Sequence, residues 1–228
     1  MMNKPVCIIV GMASRIGLAV AKKFAAEGYT IAMIGKTKFL LDKYLKQLNE
    51  AGFTDMHAFI ANGDSLAALE TAFDNIEAKL GIPDVLVYNE SVISNGNIAE
   101  VTGDQILSEL RINVAGALVS ANKVIPQMKK AGRGTLLFTG GEFATNPDPD
   151  YASAAIGHAA TRNLCITLAK ELEPIGIHVA TVTVHGLAKV QTVFDPNGVK
   201  FEPEVIANKF YALHTQPKGK FEFEMIYR

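Results

Sequence analysis

The 228-residue sequence contains no tryptophan and only two cysteines, Cys7 and Cys165. Two thiols, each inside an apolar run, make neither a disulfide framework nor a zinc site. They read as buried groups in a reducing compartment. Charge of one sign is also missing: 22 Lys and Arg stand against 23 Asp and Glu, a net charge of −1. Nucleic-acid and anionic-membrane surfaces need a basic surplus that releases counterions, so both partners are set aside, although a local basic pair for one phosphate is not. No apolar run reaches the length that a bilayer requires. The stretch from Val6 to Ala13 has the hydropathy of a secretion-signal core, but it is short and lightly charged in front. It also runs into a glycine turn and an amphipathic helix, so a first strand in a cytoplasmic protein is the expectation. His57, His178, His185 and His214 show no metal-ligand spacing; they read as structural, and no metal is expected.

Apolar side chains are plentiful. At 49% hydrophobic and 20% charged residues, the chain can fill a core on both faces of a sheet. Strand-like and helix-like periods alternate throughout. Strands are expected at Pro5–Val10, Thr30–Ile34, Met56–Ala61, Asp84–Tyr88, Gly134–Thr139 and Ile177–Val184, with an alternating last strand at Phe221–Tyr227. A helix beginning at Ile16 is closed by Gly28, and one over Phe39–Ala51 is stopped by Gly52. A third, Ser65–Leu80, has Ser65 as N-cap and Gly81 and Pro83 at its end. A long helical pattern covers Asp104–Lys130, with Pro126 expected to kink its last turns. Asn146–Asp150 reads as a loop, Ala152–Leu172 as a long helix closed by Pro174 and Gly176, and Glu202–His214 as a shorter one. This alternation implies parallel strands joined by right-handed crossovers. The expected fold is α/β and doubly wound, a mostly parallel seven-stranded sheet with helices on both faces, formed by residues 1–228 as one domain.

After the first strand the sequence reads Gly11-Met12-Ala13-Ser14-Arg15-Ile16-Gly17. A strand that ends in glycine and opens a helix puts unpaired N–H groups and the positive helix end at one spot, which suits a pyrophosphate. Gly11 permits the tight turn and Gly17 close helix–sheet packing, with Ser14, Arg15 and Ile16 around the same spot. The alternative is a glycine turn with no ligand. After the second strand comes Gly35-Lys36-Thr37, with no acid for the ribose hydroxyls of NAD. Lys36, with Arg15, would instead neutralise a 2′-phosphate, which favours NADP(H) over NAD(H). A solvated surface lysine, and a chain that binds no cofactor, remain open.

These residues together resemble the short-chain dehydrogenase/reductase family over nearly the whole chain, and so imply a Rossmann-type sheet. Gly11 to Gly17 is similar to the family's TGxxxGxG turn, with Arg15 in place of the middle glycine. Asn62-Gly63 stands where the family usually has an Asp that contacts adenine. Tyr88-Asn89-Glu90-Ser91 stands at the NNAG motif, keeping Asn89. Asn113-Val114-Ala115-Gly116 is similar to the segment with the catalytic Asn, and Leu168–Leu172 followed by Gly176–Val179 resembles the sixth helix and strand. The resemblance implies dinucleotide binding, with Asn62 and Asn89 among the contacts, and an oxidoreductase acting on a carbonyl or alcohol.

In that family Ser, Tyr and Lys carry the chemistry, helped by Asn. Two frames compete. One takes Tyr151-Ala152-Ser153 as the tyrosine motif and puts Ala155 at the lysine. The other, counted back without gaps from Leu168–Leu172, puts Gly141 at the serine, Ala154 at the tyrosine and His158 at the lysine; it satisfies both spacings and is preferred. The lysine is missing in both. The expectation is therefore either a reductase with rearranged acid chemistry, resting on Tyr151, His158 and Asn113, or a catalytically inactive member that binds, senses or assembles. His158 also reads as a filler of the space left by a lysine. Glu142 reads as a loop carboxylate, and Glu90 is harmful to phosphate binding only if it points into the cofactor pocket. The segment Leu187–Glu202, at the head of a region of about 187–214, stands where the family carries its substrate loop. The long helices at Asp104–Lys130 and Ala152–Leu172 imply a homodimer or homotetramer.

Overall fold

The structure, a computed structural model, describes residues 4–12, 15–185 and 202–228. Seven strands form one sheet: β1 (Val6–Val10), β2 (Thr30–Gly35), β3 (Met56–Ile60), β4 (Val85–Tyr88), β5 (Gly134–Gly141), β6 (Ile177–Val184) and β7 (Glu224–Tyr227). Their order is β3-β2-β1-β4-β5-β6-β7, and every pairing is parallel, including the last strand. The order reverses between β1 and β4, which opens a crevice at the carboxyl ends of those strands.

The strands are continuous apolar runs because both faces are covered. Along β1, Cys7 and Ile9 point into one core with Val20 and Phe24 of α1 (Arg15–Ala26), Leu41 and Leu48 of α2 (Lys38–Glu50) and Phe210 of α7 (Pro203–His214). Val6, Ile8 and Val10 point into the other core. There they meet α3 (Leu66–Leu80), α5 (Ala117–Ala131) and α6 (Ala152–Leu172) through residues such as Phe73, Val124 and Leu168. Each side chain fully buried this way contributes about 1.5–3 kcal/mol. Ser65 caps α3 as expected, accepting from Ala68 N at 3.3 Å.

The expected single helix over Asp104–Lys130 is three pieces. α4 (Gly103–Leu110), N-capped by Thr102, passes into a wider π-helical stretch at Arg111–Gly116 and then into α5. The widening has a side-chain cause. The Tyr88 hydroxyl donates to the Ile112 carbonyl at 2.5 Å, and a Cβ on Gly116 would sit 2.4 Å from that hydroxyl. Pro126 lies inside α5, which runs on to Ala131 and ends at Gly132 with φ +64°. Of the region 187–214, the part before Glu202 lies outside the described residues, and the rest is α7 with the residue before it.

Candidate functional site

Asn89, at the end of β4, ties the crevice together. Its amide donates to the Gly11 carbonyl at 2.8 Å and accepts from the Thr139 hydroxyl at 2.7 Å, so one side chain joins the ends of β1, β4 and β5. These bonds make Asn89 a wall of the crevice. Gly11 has φ +93°, and a Cβ there would lie 2.5 Å from the Glu90 nitrogen. A Cβ on Gly17 would lie 2.8 Å from the Gly11 carbonyl. Both glycines are thus required by close backbone approach. Helix α1 starts at Arg15, whose side chain is exposed, while Ile16 is buried in the core. Ser14 lies outside the described residues. Lys36 is exposed at the end of β2, just before Thr37 opens α2.

Glu90 points into the crevice. The carboxylate lies against the Gly63 backbone, and a Cβ on Gly63 would lie 2.7 Å from the carboxyl carbon. Its oxygen Oε2 is buried without a hydrogen-bond partner. Burial raises the Glu90 pKa, and the charge of Asp64 raises it further; the Gly63 backbone and the charge of Lys36 act against this. Asn62, half-buried beside Gly63, accepts from Ser65 N through its backbone carbonyl.

Across the switch point lies a second space lined by Ser91, Asn113, Thr139, Gly140 and His158. His158 Nε2 is 3.3 Å from the Ser91 hydroxyl. Its Nδ1 is buried without a partner and faces Gly141, where a Cβ would lie 2.4 Å from that nitrogen. Burial lowers the His158 pKa, so the ring is neutral at pH 7. Asn113 sits in the π-helical stretch with its side chain engaged twice by Val92, accepting from N at 2.8 Å and donating to O at 3.1 Å. Its carbonyl accepts from Thr161. Asn113 therefore positions the Ser91–Val92 segment.

Tyr151 stands apart from this group. Tyr151 is the residue before α6: its carbonyl accepts from Ala155 N at 2.9 Å, but its own backbone, at φ −130°, is not helical. Its ring stacks on Phe143 at 5.2 Å, and Phe143 also stacks on His158 at 6.2 Å. Tyr151 lines neither this space nor the adjoining one bounded by Ile93, Phe143 and Val184. Glu142 lies 3.6 Å from His185. Among the described residues no cluster of side chains has the make-up of a metal site.

A dinucleotide's phosphates would be held where α1 opens behind Gly11, and the Glu90 carboxylate stands against Gly63 on the β2–β3 side. The sequence profile of the short chain dehydrogenase family matches residues 5–193. The chain belongs to the short-chain dehydrogenase family. It is similar to the oxidoreductase asL5 of Sarocladium schorii, 26% identical over 181 residues that cover 79% of this chain and 71% of that one. It is also similar to (2S)-[(R)-hydroxy(phenyl)methyl]succinyl-CoA dehydrogenase subunit BbsC of Thauera aromatica, 30% identical over 135 residues. That match covers 59% of this chain and 53%, about half, of the relative. The fold is that of a metagenomic short-chain oxidoreductase solved in complex with NADP, with TM-score 0.86, 21% identity and coverage of 100% and 97%.

In this short-chain dehydrogenase the site also holds Ser91, legible in the sequence only as part of the NNAG-like segment, and Thr139, legible only as the end of the fifth strand. Ser91 and His158 are 67 positions apart, so no spacing rule links them. Only the register of β4 beside β5, with α6 packed over β5 and β6, brings them together.

Proposed function

We propose that this chain is an NADP(H)-linked oxidoreductase acting on a carbonyl or alcohol, with His158 at the position of the family's lysine and Ser91 beside it in place of the missing tyrosine hydroxyl. The observation behind it is the 3.3 Å contact between His158 Nε2 and the Ser91 hydroxyl in a crevice-side space. A nicotinamide held beside this pair supplies or accepts the hydride. With its proton on Nε2, His158 turns only a lone pair toward Gly141, which leaves no buried N–H without an acceptor. Nε2–H then donates to Ser91, and the Ser91 proton is directed at the substrate oxygen. Ser91 is exposed, so solvent restores that proton. A serine hydroxyl is a far weaker acid than the usual tyrosine, so turnover is slow, by about the 10²–10⁴-fold that general acid catalysis contributes. The contact of Gly141 with His158 favours the ungapped frame, with Gly141, Ala154 and His158 at the Ser, Tyr and Lys positions. Lys36 after β2 and Arg15 at the start of α1 support NADP(H) over NAD(H), and two buried thiols suit a reducing cytoplasm.

A second reading is an inactive member that binds or senses. It is favoured by Glu90, whose carboxylate stands in the crevice. Titration with NADPH and NADH, followed by a carbonyl screen with Ser91→Ala and His158→Ala, separates the two. Tight NADPH binding, weak NADH binding and a rate that both variants abolish support the reductase. Binding with no turnover on any carbonyl leaves the second reading.

A further inference from the structure

We propose that Glu90 is a displaceable plug: its carboxylate occupies the adenosine half of the crevice, and a dinucleotide enters only by pushing it aside. This rests on the dinucleotide-binding reading above. The crevice straddles the point where the strand order reverses. On the β4–β5 side stand Ser91, Thr139 and His158. On the β2–β3 side stand Lys36, at the strand end where a ribose is read in such folds, and Gly63 after β3. Glu90 springs from β4 at the switch point, and its carboxyl group lies on the Gly63 side.

The seat is made for this side chain. The bare Gly63 backbone leaves the room that the carboxylate uses: a Cβ there would lie 2.7 to 3.0 Å from its carbon and both oxygens. The Gly63 backbone favours the charged carboxylate. The hold is nevertheless weak, because Oε2 is buried with no hydrogen-bond partner, which costs about 1–3 kcal/mol. The atoms in the way are the far end of a flexible chain, so a rotation about the side-chain bonds clears the space. The charged and titratable groups around it are Asp64, Lys36 and Tyr88. Asp64 disfavours the charged carboxylate and Lys36 favours it. An ionised Glu90 also repels the phosphates of the ligand it must admit.

The test uses fragments that read the two halves separately. Wild type, Glu90→Ala and Glu90→Ser are titrated by calorimetry with adenosine 5′-monophosphate, with nicotinamide mononucleotide and with NADPH, after thermal unfolding confirms that each folds. Glu90→Ser carries the test if Glu90→Ala does not fold. The expected result is adenosine monophosphate and NADPH bound roughly tenfold or more tighter by the variants, about the effect of one unit charge acting through partly buried protein. Nicotinamide mononucleotide, which carries the same phosphate charge, should gain clearly less than adenosine monophosphate, and an equal gain for both overturns the plug in favour of simple charge repulsion. Equal or weaker adenosine monophosphate binding by the variants overturns the plug. That result is separate from the dinucleotide reading, which stands or falls on whether wild type binds NADPH.

Discussion

His158 and Gly141 are best understood as one unit. A serine at position 141 would press on the imidazole at 158, because a Cβ there meets the ring at 2.4 Å in its present place. Gly141→Ser is therefore expected to expel the ring and break its contact with Ser91. Overpacking of this kind costs about 1–3 kcal/mol, which urea unfolding would register, and the crystal structure of the variant would show the ring moved. Unchanged stability and an unmoved ring would show that the close approach is not real. Tyr151 gives the opposite expectation. Its ring packs on Phe143 outside both spaces, so Tyr151→Phe should leave carbonyl turnover within about twofold of wild type while His158→Ala abolishes it. A loss of a hundredfold or more in Tyr151→Phe would restore the tyrosine to the chemistry. The sequence could not decide this, because the first turn of a helix and the residue before it look alike in composition. Nor could it decide the direction of Glu90, which is fixed by the absence of a side chain at Gly63, 27 positions away in the chain.

At the scale of elements, the strands and most helices are legible because an all-parallel sheet writes itself as apolar runs bounded by glycine, with only a few residues' error at each end. The π-helical stretch at Arg111–Gly116 is not, since a widened turn keeps the residue types of an α-helix and its cause, Tyr88, comes from another strand. Helix α7 offers a quantitative test. His214, in its last turn, is held between the Tyr29 hydroxyl at 2.5 Å and the Thr135 hydroxyl at 2.9 Å, and it packs on Phe24. Burial lowers its pKa from 6.5 to about 4, with Asp84 pulling weakly the other way. Above about pH 6.5 the ring is neutral in the folded and the unfolded chain, and the docking of α7 is at full strength. As pH falls from there to about 4, the unfolded chain takes up a proton that the folded chain refuses, and stability drops. His214 alone contributes on the order of 3 kcal/mol to that drop. The lowered pKa values of His158 and His178 add to it in the same direction. Urea unfolding at pH 7, 5.5 and 4 measures the slope, and His214→Gln should flatten part of it. An identical slope in the variant would place the titration elsewhere.

The whole molecule carries apolar residues that its own core does not use. Leu107 on α4, Leu118 on α5 and Ile156 on α6 are 65%, 40% and 39% exposed. Leu107, Leu110, Val114 and Leu118 line one shallow apolar groove together with Ala160 of α6. Residues at these positions satisfy the helical period, so the sequence reading assigns them to a broad apolar face without saying whether sheet or solvent lies beneath it. Only the fold separates Val124 and Met128, which are buried against the sheet, from Leu118 about two and three turns earlier, which is not. An exposed groove of this kind, apolar apart from Arg111, is covered when the same face of a second copy approaches about a two-fold axis, the geometry of most homodimers. We therefore expect a homodimer or homotetramer in solution, joined along α4 and α5. Leu118→Glu should place like charges face to face across that axis and yield a folded monomer by sedimentation velocity, with its thermal unfolding made independent of protein concentration. A wild-type chain that sediments as a monomer at micromolar concentration would refute the interface, and a variant that remains dimeric would move it to another face.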